Sequence, residues 1–184
     1  MLIPLVLVPT LIGVVLIWWP TRKEPKFSTF APPKTAGDRP WVGWLTGGRF
    51  GLWATGLLGG VLGFLSGALW LSWSASGNDG TFVAPGLPMP GNFPVWQVII
   101  CGVSVVGAAV FASISSRRLM PGAIAAALGT AAGFSTWFAA GAAMPVTSQE
   151  GIGVMMAMVG TTFSLSIINF VVALIRAGQI KHRV

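Results

Sequence analysis

Long apolar stretches, separated by short polar connections, follow one another along most of this chain. A helix needs about 20 mostly apolar residues to cross the hydrocarbon of a bilayer. The pattern therefore predicts five transmembrane helices, at residues 2–19, 50–73, 95–115, 119–143 and 152–175, with bounds good to a few residues. We expect an all-α integral membrane protein with three parts: an N-terminal transmembrane anchor (1–19), a Pro-rich linker (20–49) and a four-helix transmembrane bundle (50–184).

The first apolar stretch resembles a secretory signal peptide only in its position. No basic residues precede it, and no cleavage site of small residues follows it. Its basic residues come afterwards, at Arg22, Lys23 and Lys26. This order predicts an uncleaved anchor whose N-terminus lies outside the cell, kinked or delayed in its start by Pro9.

Residues 20–49 interrupt the apolar pattern with repeated prolines, which disfavour a long helix. We expect this linker to run extended along the cytoplasmic face of the membrane. Its aromatic residues, including Trp41 and Trp44, make it too apolar for a free tether. They are expected at the level of the lipid headgroups or against a neighbouring protein.

The basic residues fix the predicted orientation. All eleven Lys and Arg residues can be placed on one side of the membrane, which is the distribution typical of cytoplasmic loops. The residues that carry this topology signal are Arg22, Lys23, Lys26, Arg117, Arg118, Arg176, Lys181 and Arg183. The tryptophans expected at the membrane interface are Trp18, Trp19, Trp41, Trp44, Trp70, Trp73 and Trp96. The C-terminus is then cytoplasmic, and residues 74–94 form an outer loop that either docks on a partner or folds back on the headgroups.

Small residues recur at positions i, i+4, i+7 and i+11 in three of the predicted spans. Such a stripe lets two backbones approach closely inside a membrane. The residues predicted to pack helices together are Gly56, Gly60, Gly63 and Gly67 in the second span, Gly122, Ala126, Gly129 and Gly133 in the fourth, and Gly153, Ala157, Gly160 and Ser164 in the fifth. We expect these three spans to contact each other through these faces.

A short fragment also recurs in the chain. LGGVLGF at residues 58–64 aligns with LGTAAGF at residues 128–134, and both would run from inside to outside. One interpretation is a duplication of a helical hairpin, as in transporters built from parallel repeats. Chance matching in a Gly-rich chain is the other.

The predicted spans hold little reactive chemistry. No Asp, Glu, Lys, Arg or His lies in the middle of a span, which argues against proton relays and ion-coupled carriers. We expect no catalytic residue, metal site or cofactor, and no nucleic-acid partner, since the net charge of +7 is accounted for by topology. The best candidates for a polar pathway are the clustered residues Ser135, Thr136, Thr161, Thr162, Ser164, Ser166 and Asn169.

These features favour a non-catalytic, multi-pass accessory subunit, packed by small-residue (GxxxG-like) seams within a larger membrane complex of the bacterial inner membrane. A respiratory or other energy-converting assembly is one concrete version. The lipid bilayer and other membrane subunits are then its partners. The alternative is a small oligomeric channel or carrier for a neutral or weakly charged solute. An enzyme acting on lipid is disfavoured, because no pair of acidic residues is evident at headgroup level.

Overall fold

The computed structural model of this chain describes residues 50–75, 85–87, 89–90, 92–141 and 148–181. This part contains four helices: α1 (Leu52–Leu71), α2 (Val95–Ile114), α3 (Leu119–Gly141) and α4 (Ser148–Lys181). All four are long and apolar enough to cross a membrane. The prediction of an all-helical fold with apolar helices of membrane-spanning length is therefore confirmed for these residues, and such helices are compatible with a multi-pass membrane protein. The predicted anchor at residues 2–19 and the linker at residues 20–49 lie outside them.

Prolines mark the starts of two of the helices. Pro94 stands at the N-cap of α2, where its missing N–H costs no hydrogen bond. Pro121 falls in the first turn of α3, where it is tolerated for the same reason. α4 extends beyond the predicted span at both ends, although its apolar part, Ile152–Gly178, agrees with the prediction within three residues.

Helix α3 is the centre of the bundle, because it packs against each of the other three helices. Its most extensive interface is with α1, and its next is with α4. α1 and α4 barely meet, so they flank α3, while α2 packs on both α1 and α3 and touches α4 only lightly. α1 and α3 run in the same direction, since Gly56 faces Ala125 and Gly67 faces Trp137.

Basic side chains gather at one end of the bundle, which we call the basic end. The N–H of Phe50 donates to the Ser115 carbonyl (3.1 Å), and the N–H of Arg117 donates to the Phe50 carbonyl (3.0 Å). The chain thus enters α1 beside the α2–α3 turn. Arg176 of α4 reaches the same region and donates to the Ser113 carbonyl (3.2 Å). This clustering agrees with the predicted topology, and the side of the membrane that the basic end faces stays a prediction.

The opposite end is covered by the described part of the loop between α1 and α2. The N–H of Gly86 donates to the Ser72 carbonyl (2.9 Å), and that of Met89 donates to the Gly141 carbonyl (3.0 Å). Met89 and Phe93 pack against the buried apolar cluster of the bundle. These loop residues therefore close over the ends of α1 and α3, and docking on a partner or contact with headgroups stays a prediction.

Candidate functional site: the α1–α3 seam and its neighbouring clefts

The α1–α3 seam, formed by residues 56–67 and 125–137, brings two backbones into direct contact. A Cβ atom added at Gly129 or Gly133 would overlap the carbonyl oxygen of Gly56 or Gly60. A Cβ at Gly59 would lie 2.9 Å from the Ala126 carbonyl oxygen. Each glycine therefore directs a Cα–H group at a carbonyl of the other helix, an arrangement that supplies weak Cα–H···O contacts and close dispersion contacts.

The contacts across the seam are reciprocal. Adding 70 to a residue number of the repeated fragment in α1 gives its aligned partner in α3, as for Leu58 and Leu128. Gly63 faces the Thr130 carbonyl, and its aligned partner Gly133 faces the Gly60 carbonyl. Exchanging the two helices thus reproduces the same contact. α1 and α3 are related by an approximate two-fold axis along the helices, which gives the short sequence repeat a structural counterpart.

The other stripe residues of α1 and α3 have different neighbours. Gly67 packs against the indole of Trp137, which makes an edge-to-face contact with Phe64 at 5.3 Å between ring centroids. Gly122 packs against Ser116 in the α2–α3 turn instead of against another helix. Gly56 and Gly60 border the seam at ordinary van der Waals distances of 3.6 and 3.5 Å from their Cβ positions to the facing carbonyls.

The small-residue stripe of α4 lies away from the seam. Gly153, Gly160 and Ser164 are exposed and Ala157 is half-buried. A Cβ at Gly153 or Gly160 would meet no atom of the described residues within 4 Å. In this part of the chain the stripe of α4 therefore packs against neither α1 nor α3, unlike the stripes of those two helices.

Helix α4 uses a neighbouring face instead. The buried residues of that face are Val154, Met158, Leu165, Asn169 and Ala173. Leu165 belongs to the same buried cluster as Ala127 and Ala131 of α3. Because α3 already presents alanines there, large side chains of α4 fill the interface without close backbone approach.

A buried glutamine joins the ends of α1 and α2. The Nε2 group of Gln97 donates to the carbonyls of Trp70 and Trp73, and its Oε1 accepts from the Ala75 N–H (3.4 Å). The last carbonyls of a helix have no partner within the helix, so this side chain satisfies groups that would otherwise be buried unpaired. The hydropathy pattern does not single out Gln97 within its apolar span. Its place three residues after Pro94, in the first turn of α2, was the available signal.

The tryptophans predicted at the membrane interface gather near this cap. Trp70 donates through Nε1 to the Ser104 hydroxyl (2.9 Å), and the rings of Trp73 and Trp96 lie 6.2 Å apart. These three residues therefore lie at the same end of the bundle, with Trp70 half-buried. Trp18, Trp19, Trp41 and Trp44 lie outside the described residues.

The predicted polar cluster is divided by the structure. The hydroxyls of Thr136 and Thr161 bond to carbonyls of their own helices, Ala132 and Ala157. Asn169 is fully buried; its Nδ2 donates to the Ala123 carbonyl (3.2 Å), while its Oδ1 has no partner among the described residues. The buried hydroxyl of Ser135 also has none. These residues do not form one hydrogen-bonded path.

Two apolar clefts flank the central helix. The α2–α4 cleft, about 460 Å³, lies between Cys101 and Val105 of α2 and Thr161 and Ser164 of α4, with Phe134 at its floor. At the basic end, the bond from Arg176 to the Ser113 carbonyl ties α4 to the end of α2.

The α1–α3 groove, about 540 Å³, lies on the side of the seam where α2 is absent. Gly60 and Gly129 lie along it, and Leu57, Val61 and Leu128 border it. Apart from the Thr136 hydroxyl, which is already bonded within its helix, and the indole N–H of Trp53, its side chains are apolar. Both clefts therefore suit apolar occupants.

Among the described residues, no group of three His, Cys, Asp or Glu side chains could hold a metal ion. Comparison of the chain with protein-family models, with curated proteins and with solved structures finds no match. The function is therefore inferred from the geometry alone.

Proposed function

We propose that this protein is a non-catalytic, multi-pass subunit that packs within and stabilises a larger membrane complex. An accessory role in a bacterial respiratory or other energy-converting assembly fits this proposal. The proposal places the chain in the bacterial inner membrane, with the basic end in the cytoplasm.

The observation that carries the proposal is the exposure of the α4 face that bears the small-residue stripe. Gly153, Gly160 and Ser164 have the spacing that lets helices approach closely, and no described residue of the chain covers this face. Inside a membrane, exposed leucines are satisfied by lipid, but a row of small residues gains contacts only when another helix covers it. A helix of another subunit would supply that cover.

The proposal is tested by purifying the protein from its native membrane in mild detergent and identifying stoichiometric companions by mass spectrometry. Gly160→Leu should displace the companion, because the leucine occupies the space a close helix needs. Gly107→Leu is the matched control, since Gly107 is an exposed glycine of α2 with no atom within 4 Å of its Cβ position. Equal recovery of the companion with both variants, or a protein without companions, contradicts the proposal.

The α2–α4 cleft supports a second candidate, a small oligomeric channel or carrier for a neutral or weakly charged solute. Thr161 and Ser164 place hydroxyl groups along its wall. A clean homo-oligomer that conducts solute in liposomes, and loses flux when Ser164→Leu narrows the cleft, would favour this function over the first.

The orientation is tested separately by cysteine labelling in intact cells, in a Cys101→Ala background. A cysteine at Leu87, which is exposed in the α1–α2 loop at the end of the bundle opposite the basic end, should react with an impermeant maleimide. A cysteine at Arg117, exposed at the basic end, should react only after the cells are opened. The reverse result would invert the proposed topology.

A further inference from the structure

We propose that the α1–α3 groove holds an acyl chain of an anionic phospholipid, whose headgroup binds at Arg117 and Arg118. Two features of the molecule combine at this place. The groove is apolar and about as long as one leaflet, and positive charge lies at the end where it begins. Such a lipid site requires only that the helices lie in a bilayer, so it is independent of any partner subunit.

The length of the groove matches one leaflet of a membrane. On α1 its lining begins at Leu52 and ends at Leu65, a span of about 20 Å at the rise of an α-helix. The hydrocarbon of a whole bilayer is about 30 Å thick, so the groove covers little more than half of it. On α3 the lining ends at Thr136, next to Trp137, whose ring packs edge to face on Phe64 of the groove wall. A transmembrane helix would extend past this aromatic pair, whereas an acyl chain of one leaflet would end near it.

The lining of the groove suits a hydrocarbon chain. Its floor contains Gly56, Gly60 and Gly129, and its rim contains Leu57 and Val61, which are 72% and 50% exposed. Because the floor is low and the rim is high, a chain in the groove would touch apolar atoms from several sides. Each contact adds a small dispersion energy, so the groove should hold a chain longer than a convex helix face does.

Positive charge lies at the end where the groove begins. Arg117 is exposed, and its backbone N–H donates to the Phe50 carbonyl (3.0 Å). Phe50 shortly precedes Leu52 and Trp53, the first residues of the groove lining on α1. Trp53 is 67% exposed, and tryptophan favours the level of the lipid headgroups. The groove therefore starts at headgroup depth, next to the turn that carries Arg117.

Arg118 is in register with the α3 wall of the groove. Its carbonyl accepts the N–H of Gly122 (3.1 Å), so Arg118 begins the first turn of α3. It precedes Ala125 of the groove lining by seven residues, a spacing that places both on one face of the helix. Arg118 is half-buried. A long basic side chain can keep its apolar stem against a helix while its charged group reaches the headgroups.

No acidic side chain balances this charge among the described residues of the basic end. The acidic residue in the described part of the chain is Glu150, near the start of α4 at the opposite end. α1 and α3 both begin at the basic end, so the positive ends of their helix dipoles add to the field there. Basic sites between transmembrane helices bind anionic headgroups, and the guanidinium fork matches a phosphate. The charge of this end thus complements an anionic phospholipid.

Photolabelling of the full chain tests this site. The purified protein is reconstituted in phosphatidylcholine vesicles that contain a small fraction of phosphatidylglycerol with a diazirine on its acyl chain. After irradiation, the labelled residues are identified by peptide mass spectrometry. We expect Leu57 and Val61 to be labelled at least about fivefold more than Ile167 of α4. Unlabelled phosphatidylglycerol should remove this excess, whereas additional phosphatidylcholine should leave it.

Ile167 is the matched reference for lipid that is merely in contact with the protein. It is 52% exposed on α4. It lies at a similar depth, because its neighbour Asn169 bonds to the Ala123 carbonyl while Gly56, next to Leu57, faces the Ala125 carbonyl. A difference in labelling between Leu57 and Ile167 therefore reports on the groove and not on depth in the bilayer.

Two variants separate the headgroup site from the groove. Replacing both arginines, by Arg117→Gln and Arg118→Gln, should raise the concentration of phosphatidylglycerol needed for displacement about fivefold for each arginine. Ala132→Trp should abolish the excess labelling, because Ala132 is half-buried in the groove wall and the indole would fill the groove. Ala140→Trp, at an exposed position of the same helix, is the matched control and should leave the excess unchanged.

Three results would overturn the proposal. Equal labelling of Leu57 and Ile167 would mean that the groove contacts only bulk lipid. Labelling of Ile167 alone would mean that protein covers the groove. Displacement by phosphatidylcholine as readily as by phosphatidylglycerol would mean that the headgroup is not recognised. The purified chain is used without companions, so these results do not depend on the proposed role in a larger complex.

Discussion

Two interfaces of the central helix show opposite ways of packing inside a membrane. Along the α1–α3 seam, glycines of both helices let the backbones touch. Along α3–α4, large side chains such as Met158 and Leu165 are buried and no glycine stripe is used. Both α1 and α4 carry small residues at the same spacing, so the spacing alone does not decide which face of a helix is buried.

The difference between the two interfaces shows that close backbone packing depends on the surface that the facing helix presents. The two helices of the seam present matching glycines to each other, and neither places a large side chain at these backbone contacts. On its other side α3 presents alanines, and there α4 gains more dispersion contacts by presenting large side chains. The first interface should therefore tolerate no added carbon at glycines such as Gly133, whose Cβ position overlaps a facing carbonyl, whereas the second should be sensitive to lost volume.

The largest expected effect is that of Gly133→Ala. The added methyl group would overlap the Gly60 carbonyl, a backbone atom that cannot rotate away, so the helices must separate. We expect a loss of about 3 kcal/mol in the free energy of unfolding, at the upper end for overpacked cores. Reversible unfolding in mixed detergent micelles, followed by tryptophan fluorescence, measures it.

Gly60→Ala in the same seam is the control for this prediction. Its Cβ position lies 3.5 Å from the Gly129 carbonyl oxygen, an ordinary contact distance. We expect a change within about 0.5 kcal/mol. If both alanine variants unfold alike, backbone approach is not what makes Gly133 necessary.

Leu165→Ala should have the next largest effect, by opening a cavity in the α3–α4 interface. Leu165 is 2% exposed. Transfer from water contributes nothing between helices in lipid, so only the lost packing counts, and we expect about 2 kcal/mol, at the low end for Leu→Ala substitutions. The same unfolding measurement applies.

Phe163→Ala removes a larger side chain from the exposed face of α4, where lipid replaces its contacts. It should change the free energy of unfolding by less than Leu165→Ala does. The opposite order would mean that α4 packs through the face that carries Phe163, and the assigned interface would be wrong.

The sequence allows part of this comparison to be predicted. The apolar runs predict α1, α2 and α3 within about two residues, because the thickness of the bilayer sets their length. The spacing of Gly129 and Gly133 indicates a face fit for close approach, since small residues are needed only where backbones meet.

Other features could not be predicted, because they depend on which helices become neighbours. The buried face of α4 has the same helical period as its small-residue stripe, so periodicity cannot distinguish the two. The cap made by Gln97 depends on the path of the chain through Trp73 and Ala75, which no local pattern specifies. Packing partners are a property of the whole bundle, whereas spans are a property of each segment.

The smallest expected effect concerns the polar contact that Asn169 of α4 makes with α3. Asn169→Leu removes the hydrogen bond to the Ala123 carbonyl, and such interhelical bonds average about 0.6 kcal/mol in membranes. It also removes the unpartnered Oδ1 atom, whose burial is unfavourable. The two terms oppose each other, so the free energy of unfolding should change by no more than about 0.6 kcal/mol.

Ser164→Ala, which alters an exposed hydroxyl of the same helix, is the reference for this small change. A loss above about 2 kcal/mol for Asn169→Leu alone would show that its Oδ1 atom is bonded in the membrane, for instance to a bound water. The α3–α4 interface would then contain a hydrated polar site beside its apolar contacts. Its contrast with the α1–α3 seam would become one of chemistry as well as of packing, and the channel hypothesis would gain a polar group beyond the hydroxyls of Thr161 and Ser164.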